Sequence, residues 1–127
     1  PSLIHKIHTA KINNEPNVHL WGDGTPLREC MYAEDLAEAL ILIMNSYNDK
    51  ELINIGGGEE YTIKEIANII KDVIEYKGNI LFDINNLNGT PRKVLDNSKL
   101  KKLNWHPKTK LKDGIINTYK EYLKLYK

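Results

Sequence analysis

The sequence predicts a mixed domain, α/β or α+β, with about five helices and four short strands. Three observations predict it. Thr62 and Glu65 form a capping box ahead of Ile63, Ile66, Ala67, Ile70, Val73 and Ile74, which repeat at helical spacing. A second helical stripe, Leu36, Ala39, Leu40, Ile43 and Met44, follows two acidic residues suited to a helix N-terminus. Between the helices, short apolar runs bounded by Gly, Pro and Asn read as strands, too few and too short for a self-sufficient sheet.

Element by element, Leu3, Ile4 and Ile7 share one face of a helix that opens at Pro1 and is broken by Asn13-Asn14-Glu15-Pro16. Val18 to Trp21 is a strand, Gly22-Asp23-Gly24-Thr25-Pro26 a tight turn, and Leu27 to Tyr32 a second extended piece. The helix with Leu36 to Met44 comes next. Leu52 to Ile55 reads as a buried strand running into Gly56-Gly57-Gly58, a turn that leads to the capped helix. Asn79 to Phe82 is a short strand, and Asn88-Gly89 a turn of the kind that needs positive φ. Ser98 to Leu103 makes a short helix with Asn104 as its left-handed cap. A last helix, about Leu111 to Tyr126, carries Leu111, Ile115, Tyr119, Tyr122, Leu123 and Tyr126 on its apolar face.

Composition narrows the function classes. With 18 basic and 17 acidic residues the net charge is +1, so no global field draws nucleic acid or a membrane surface. The lysines between Lys99 and Lys112 read as a solvated face, because stacking aromatics other than Trp105 are missing. No apolar run approaches the ~20 residues that span a bilayer. The single cysteine, Cys30, excludes an internal disulfide and suggests a reducing compartment, the cytoplasm; in a half-buried strand it is expected to pack. A start at Pro1 without methionine suggests a chain that begins partway through a longer protein.

The residue patterns exclude some chemistry and leave one kind open. Neither glycine cluster completes Gly-x-Gly-x-x-Gly, and Glu59 and Glu60 after Gly58 would repel a phosphate. No tyrosine is followed four positions later by lysine, so the pair that activates a phenol for hydride-transfer chemistry is not here, and no catalytic residue is assigned. His5 and His8 share a helix face without a third ligand, so no metal site is assigned. What remains suits an anionic, aromatic ligand. Trp21 offers an indole face beside a glycine turn. Arg28 offers a guanidinium fork for a diphosphate, and Arg92 and Lys93 follow a second Gly-Thr-Pro turn. On pattern alone these residues are either surface and packing residues or ligand contacts.

At these residues the sequence resembles a known family. Leu20-Trp21-Gly22-Asp23-Gly24-Thr25-Pro26-Leu27-Arg28-Glu29, followed by Glu34-Asp35-Leu36-Ala37, is similar to a stretch of the GDP-L-fucose synthases. Asn54-Ile55-Gly56-x-Gly58 with Thr62-Ile63-x-Glu65-Ile66-Ala67 resembles a motif shared by extended short-chain dehydrogenases. Asn88-Gly89-Thr90-Pro91-Arg92-Lys93, Asp96, Ser98-Lys99-Leu100 and Leu103-Asn104-Trp105-x-Pro107 resemble the closing segment of the synthases. The resemblance covers essentially the whole chain.

It implies an α/β fold in which residues 1–127 are the C-terminal, substrate-binding part of an extended short-chain dehydrogenase, without the N-terminal Rossmann domain that holds NADP and the catalytic Ser, Tyr and Lys. The implied parent, a homodimer, converts GDP-4-keto-6-deoxy-D-mannose to GDP-L-fucose by 3,5-epimerisation and NADPH-dependent reduction; this part alone would be inactive. The implied substrate contacts are Lys6, Trp21, Arg28 and Asn88, with Arg92 matching a basic position that contacts nucleotide in related epimerases. Cys30 stands where phenylalanine is usual, Ala33-Glu34 replaces Val-Asp, and Leu87-Asn88 replaces Pro-Asp, so Asn88 keeps hydrogen bonding without the charge. Two other readings are a part of a UDP- or dTDP-sugar epimerase or dehydratase, and a stand-alone, non-catalytic sugar-nucleotide-binding module.

Overall fold

A computed structural model describes residues Ser2 to Leu125. The expected helix start at Pro1 and the packing of Tyr126 lie outside the described residues. Ten elements follow in order: α1 (Ser2–Ile12), β1 (Asn17–Trp21), β2 (Leu27–Glu29), α2 (Ala33–Ser46), β3 (Glu60–Thr62), α3 (Ile63–Ile74), β4 (Asn79–Asp83), β5 (Arg92–Lys93), α4 (Ser98–Lys102) and α5 (Leu111–Leu125). The strands form two small sheets. β1 pairs in parallel with β4, Val18 opposite Ile80 and Trp21 opposite Asp83. β2 lies between β3, antiparallel, and β5, parallel.

Local chemistry sets the helix ends. Thr62 Oγ1 accepts from the Glu65 amide, and the Glu65 carboxylate accepts from the Thr62 amide, completing the expected capping box of α3. Asn14 (φ 54) ends α1, with the Glu15 amide donating to Ala10 O at 2.9 Å and the Asn14 amide to Lys11 O at 3.2 Å. Asn104, at φ 55, follows α4 in the left-handed conformation expected of it.

The main core joins Ile4, Ile7 and Ala10 of α1 with Val18 and Leu20 of β1, Ile66, Ala67, Ile70 and Ile74 of α3, Tyr76, and Ile115 of α5. Ile7 and Ile74 are essentially fully buried, and each contributes about 1.5–3 kcal/mol of hydrophobic stabilisation. A smaller core holds Ala39, Leu100 and Trp105, with Met31, Leu42, Ile43, Ile53 and Ile55 packed on it.

Four expectations need correction. Leu52 to Ile55 is not a strand: Leu52 is 91% exposed, and Ile53 and Ile55 reach the smaller core from irregular backbone. The α2 stripe is largely uncovered, with Leu36, Leu40 and Met44 exposed and Ala39 buried, and Leu123 of α5 is exposed too. The turn after β4 sits at 84–86, where Asp83 accepts from the amides of Asn85 and Asn86, so neither Asn88 nor Gly89 needs positive φ. Cys30 lies just beyond β2 and is exposed rather than packed in a strand.

Candidate functional site

β1 buries Val18 and Leu20 and turns His19 and Trp21 outward. Trp21 is 75% exposed at the strand's end, leaving its indole face open. Gly22 (φ 78) and Gly24 (φ 79) then reverse the chain in a conformation that glycine adopts without strain. The Asp23 carboxylate braces this turn by accepting from the Thr25 amide at 2.9 Å and the Thr25 hydroxyl at 2.7 Å. Those bonds, the hydroxyl's first, hold the Asp23 carboxyl below its ordinary range. Asn88 meets the same turn, its Oδ1 accepting from the Asp23 amide at 2.9 Å. A Cβ on Gly22 would lie 2.2 Å from that oxygen, so the contact relies on glycine.

Arg28 sits in the centre of β2. Its Nη1 donates to Leu27 O at 2.7 Å and to Thr90 O at 2.8 Å, and the Pro91 carbonyl accepts from the Leu27 amide at 2.8 Å. The segment from Asn88 to Lys93 therefore ties Trp21's turn to Arg28. A cavity of ≈ 450 Å³ opens beside Arg28, with apolar walls from Ile4, Ile66, Ile70 and Ile115. Trp21 and Asn88 lie outside its lining.

The other two sequence candidates are placed differently. Arg92 donates through Nε and Nη2 to both oxygens of Glu60, a two-pronged pair that lowers the Glu60 carboxyl's pKa. Lys6 is exposed on α1 and borders a groove with Glu15, Asn17 and His19. His19 is two residues before Trp21 on the outward face of β1, so the groove that Lys6 borders reaches that strand short of Trp21.

Two carboxylates escaped the sequence reading as organising groups. Glu29 accepts from the amides of Leu95 at 2.8 Å and Gly58 at 3.2 Å, and Glu60 engages Arg92. The alternation Arg28-Glu29 on a strand was the available signal, but the partners lie far off in sequence.

The glycine turns do not fit a dinucleotide. The first amides of α3, those of Ile63 and Lys64, donate to Pro26 O and Gly24 O at 3.0 Å each. Gly58 N is taken by Glu29, and a Cβ on Gly57 would lie 2.3 Å from the Cys30 carbonyl oxygen. No free row of amides faces a pyrophosphate there. His5 and His8 hydrogen-bond Tyr122 at 2.8 Å and Tyr119 at 2.9 Å through Nδ1. Among the described residues no group of three or more His, Cys, Asp or Glu is arranged to hold a metal ion, and no helix is long and apolar enough to cross a membrane.

Comparison with known proteins places this geometry. The model of the NAD dependent epimerase/dehydratase family matches residues 1–56. GDP-L-fucose synthase 1 of Arabidopsis thaliana is 44% identical over 98% of the chain, which spans 38% of that protein's length. A GDP-L-fucose synthetase of Naegleria fowleri, solved bound to NADP, superposes with a TM-score of 0.92 at 31% identity, covering 99% of this chain and 40% of that one. An NADP-bound GDP-mannoheptose C4 reductase of Campylobacter jejuni superposes with a TM-score of 0.84 at 33% identity, covering 97% of this chain and 44% of that one.

Proposed function

We propose, from the premise that this chain has the fold of the C-terminal portion of an extended short-chain dehydrogenase and resembles GDP-L-fucose synthases along nearly its whole length, that residues 1–127 are the substrate-binding part of such an enzyme. The complete enzyme converts GDP-4-keto-6-deoxy-D-mannose to GDP-L-fucose, and NADP and the catalytic Ser, Tyr and Lys belong to the portion of the relatives beyond this match. That enzyme works in the cytoplasm as a homodimer, without nucleic-acid or membrane partners.

The observation that carries this reading is the tie between Trp21's turn and Arg28 made by residues 88–93. One segment thus connects an open indole face, an amide side chain and a braced guanidinium. In this reading Trp21 stacks on the base or sugar, and Asn88 hydrogen-bonds it. Arg28 presents Nη2 and Nε to the diphosphate. Lys6 supplies a further positive charge along the outward face of β1. Arg92, engaged by Glu60, joins the ligand when that carboxylate is displaced.

Titrating GDP, UDP and dTDP into this chain joined to the N-terminal portion of a relative, with the fluorescence change that Trp21→Phe removes as the signal, tests the reading. Quenching by GDP at lower concentration than by the other two supports it. Equal response to all three overturns the guanine assignment, and no response to any overturns the site.

A further inference from the structure

The turn that follows Trp21 carries two exposed side chains of opposite hydrogen-bonding character, Asn88 and Asp23. The Asp23 amide can only donate, so the Asn88 atom that meets it at 2.9 Å is the oxygen. That oxygen lies so near Gly22 that a Cβ there would stand 2.2 Å from it, which closes its side of the amide to a ligand. What Asn88 offers outward is its NH2 end, a donor.

Asp23 offers the reverse. Both Thr25 bonds fall on Oδ1, leaving Oδ2 for a further donor. Those two bonds, and after them Asn88's amide group, hold the carboxyl below its ordinary range, so Asp23 is an ionised acceptor at neutral pH. A donor and an acceptor thus stand side by side, two residues beyond the open indole of Trp21. Such a couple fits a base edge of the inverse order. Guanine has one, a carbonyl oxygen next to a ring N–H, whereas adenine presents an amino group next to a bare ring nitrogen.

Resting on the reading of Trp21 as the residue that stacks on the base, we propose that Asp23 and Asn88 together read its edge. Asn88 donates to the guanine carbonyl, and Asp23 accepts from the ring N–H. The test is calorimetric titration of GDP and ADP into this chain joined to the N-terminal portion of a relative, with NADP added to saturation so that ADP meets only the substrate side. The parent is expected to bind GDP about tenfold more tightly than ADP. Asp23→Asn keeps an oxygen for Thr25 but turns an NH2 toward the ring N–H. Asn88→Asp keeps an oxygen for the Asp23 amide but turns a carboxylate oxygen toward the carbonyl. Each is expected to weaken GDP about tenfold and to leave ADP within about twofold, closing the preference. The ratio of two ligands in one preparation is unaffected by partial unfolding of a variant. A variant that weakens both ligands alike, or neither, overturns the role of the residue it replaces. A parent that binds GDP and ADP alike overturns the edge reading and leaves Trp21 and Arg28 as contacts. A parent that binds neither removes the underlying site and this proposal with it.

Discussion

Asp35 accepts a hydrogen bond from the Thr109 amide at 3.0 Å while only 4% exposed. This bond joins the first turn of α2 to the loop that leads into α5. A buried carboxylate with a backbone partner is costly to disturb, because its removal leaves the amide unsatisfied. Asp35→Ala is expected to cost about 1.5–3 kcal/mol, and Asp35→Asn, which keeps an acceptor, less. Urea denaturation of the two variants checks the order, and equal losses would show that the bond contributes little.

α3 ends on Glu75 at φ 59, with the Glu75 amide donating to Asp72 O and the Tyr76 amide to Lys71 O, both at 3.1 Å. This is the left-handed closure that glycine makes most readily. Glu75→Gly should therefore stabilise the chain by about 0.5–1 kcal/mol. A lower melting temperature for the variant would mean that the glutamate side chain contributes more than its strain costs.

His8 packs against Tyr119 and Tyr122. Burial first, then the charges of His5 and Lys11, hold its pKa below the ordinary 6.5. The unfolded chain then binds a proton that the folded chain resists. Stability is therefore full above pH 6.5 and falls as the pH drops through that value, levelling below the folded pKa. Denaturation midpoints taken from pH 7.5 to 5 should show the decline, and His8→Gln should reduce it. An undiminished slope in the variant would assign the effect elsewhere.

Gly57 approaches the end of β2 so closely that an added Cβ would lie 2.3 Å from the Cys30 carbonyl oxygen. Backbone cannot rotate away as a side chain can. Gly57→Ala should cost about 1–3 kcal/mol, visible as a lower thermal midpoint.

Trp21, at 75% exposure, has little packing to lose. Trp21→Ala should leave stability within about 0.5 kcal/mol of the parent while weakening GDP binding. A large loss of stability instead would make the indole a structural group.

Features carried by short-range chemistry were legible before the structure: the Thr62–Glu65 box, the stripe from Ile66 to Ile74, the left-handed Asn104. Each depends on residues within one or two helical turns. The misreadings share a cause of the opposite kind. Periodicity shows that Leu36, Leu40 and Met44 line one side of α2, but not whether anything covers that side. β3 and β5 are three and two residues long, too short for alternation to mark, and they exist through partners distant in sequence. The candidate site divides the same way. Trp21, Arg28 and Asn88 came from motifs, whereas the meeting of Arg92 with Glu60 across β2 follows from a register that no local pattern specifies.

The parallel partnership of β1 and β4 bears on how the chain reaches its shape. Asn17 and Asn79, 62 residues apart, hydrogen-bond at the first rung, and α2 and α3 lie between the two strands. Closing so long a loop costs entropy that is repaid only once both strands are in place. Helix α3, capped by its own residues, is therefore expected to form early and the strand pair late. Trp21 closes the far end of that pair, opposite Asp83, so the indole is expected to reach its final setting among the last steps of folding, as a slow fluorescence phase in refolding would show.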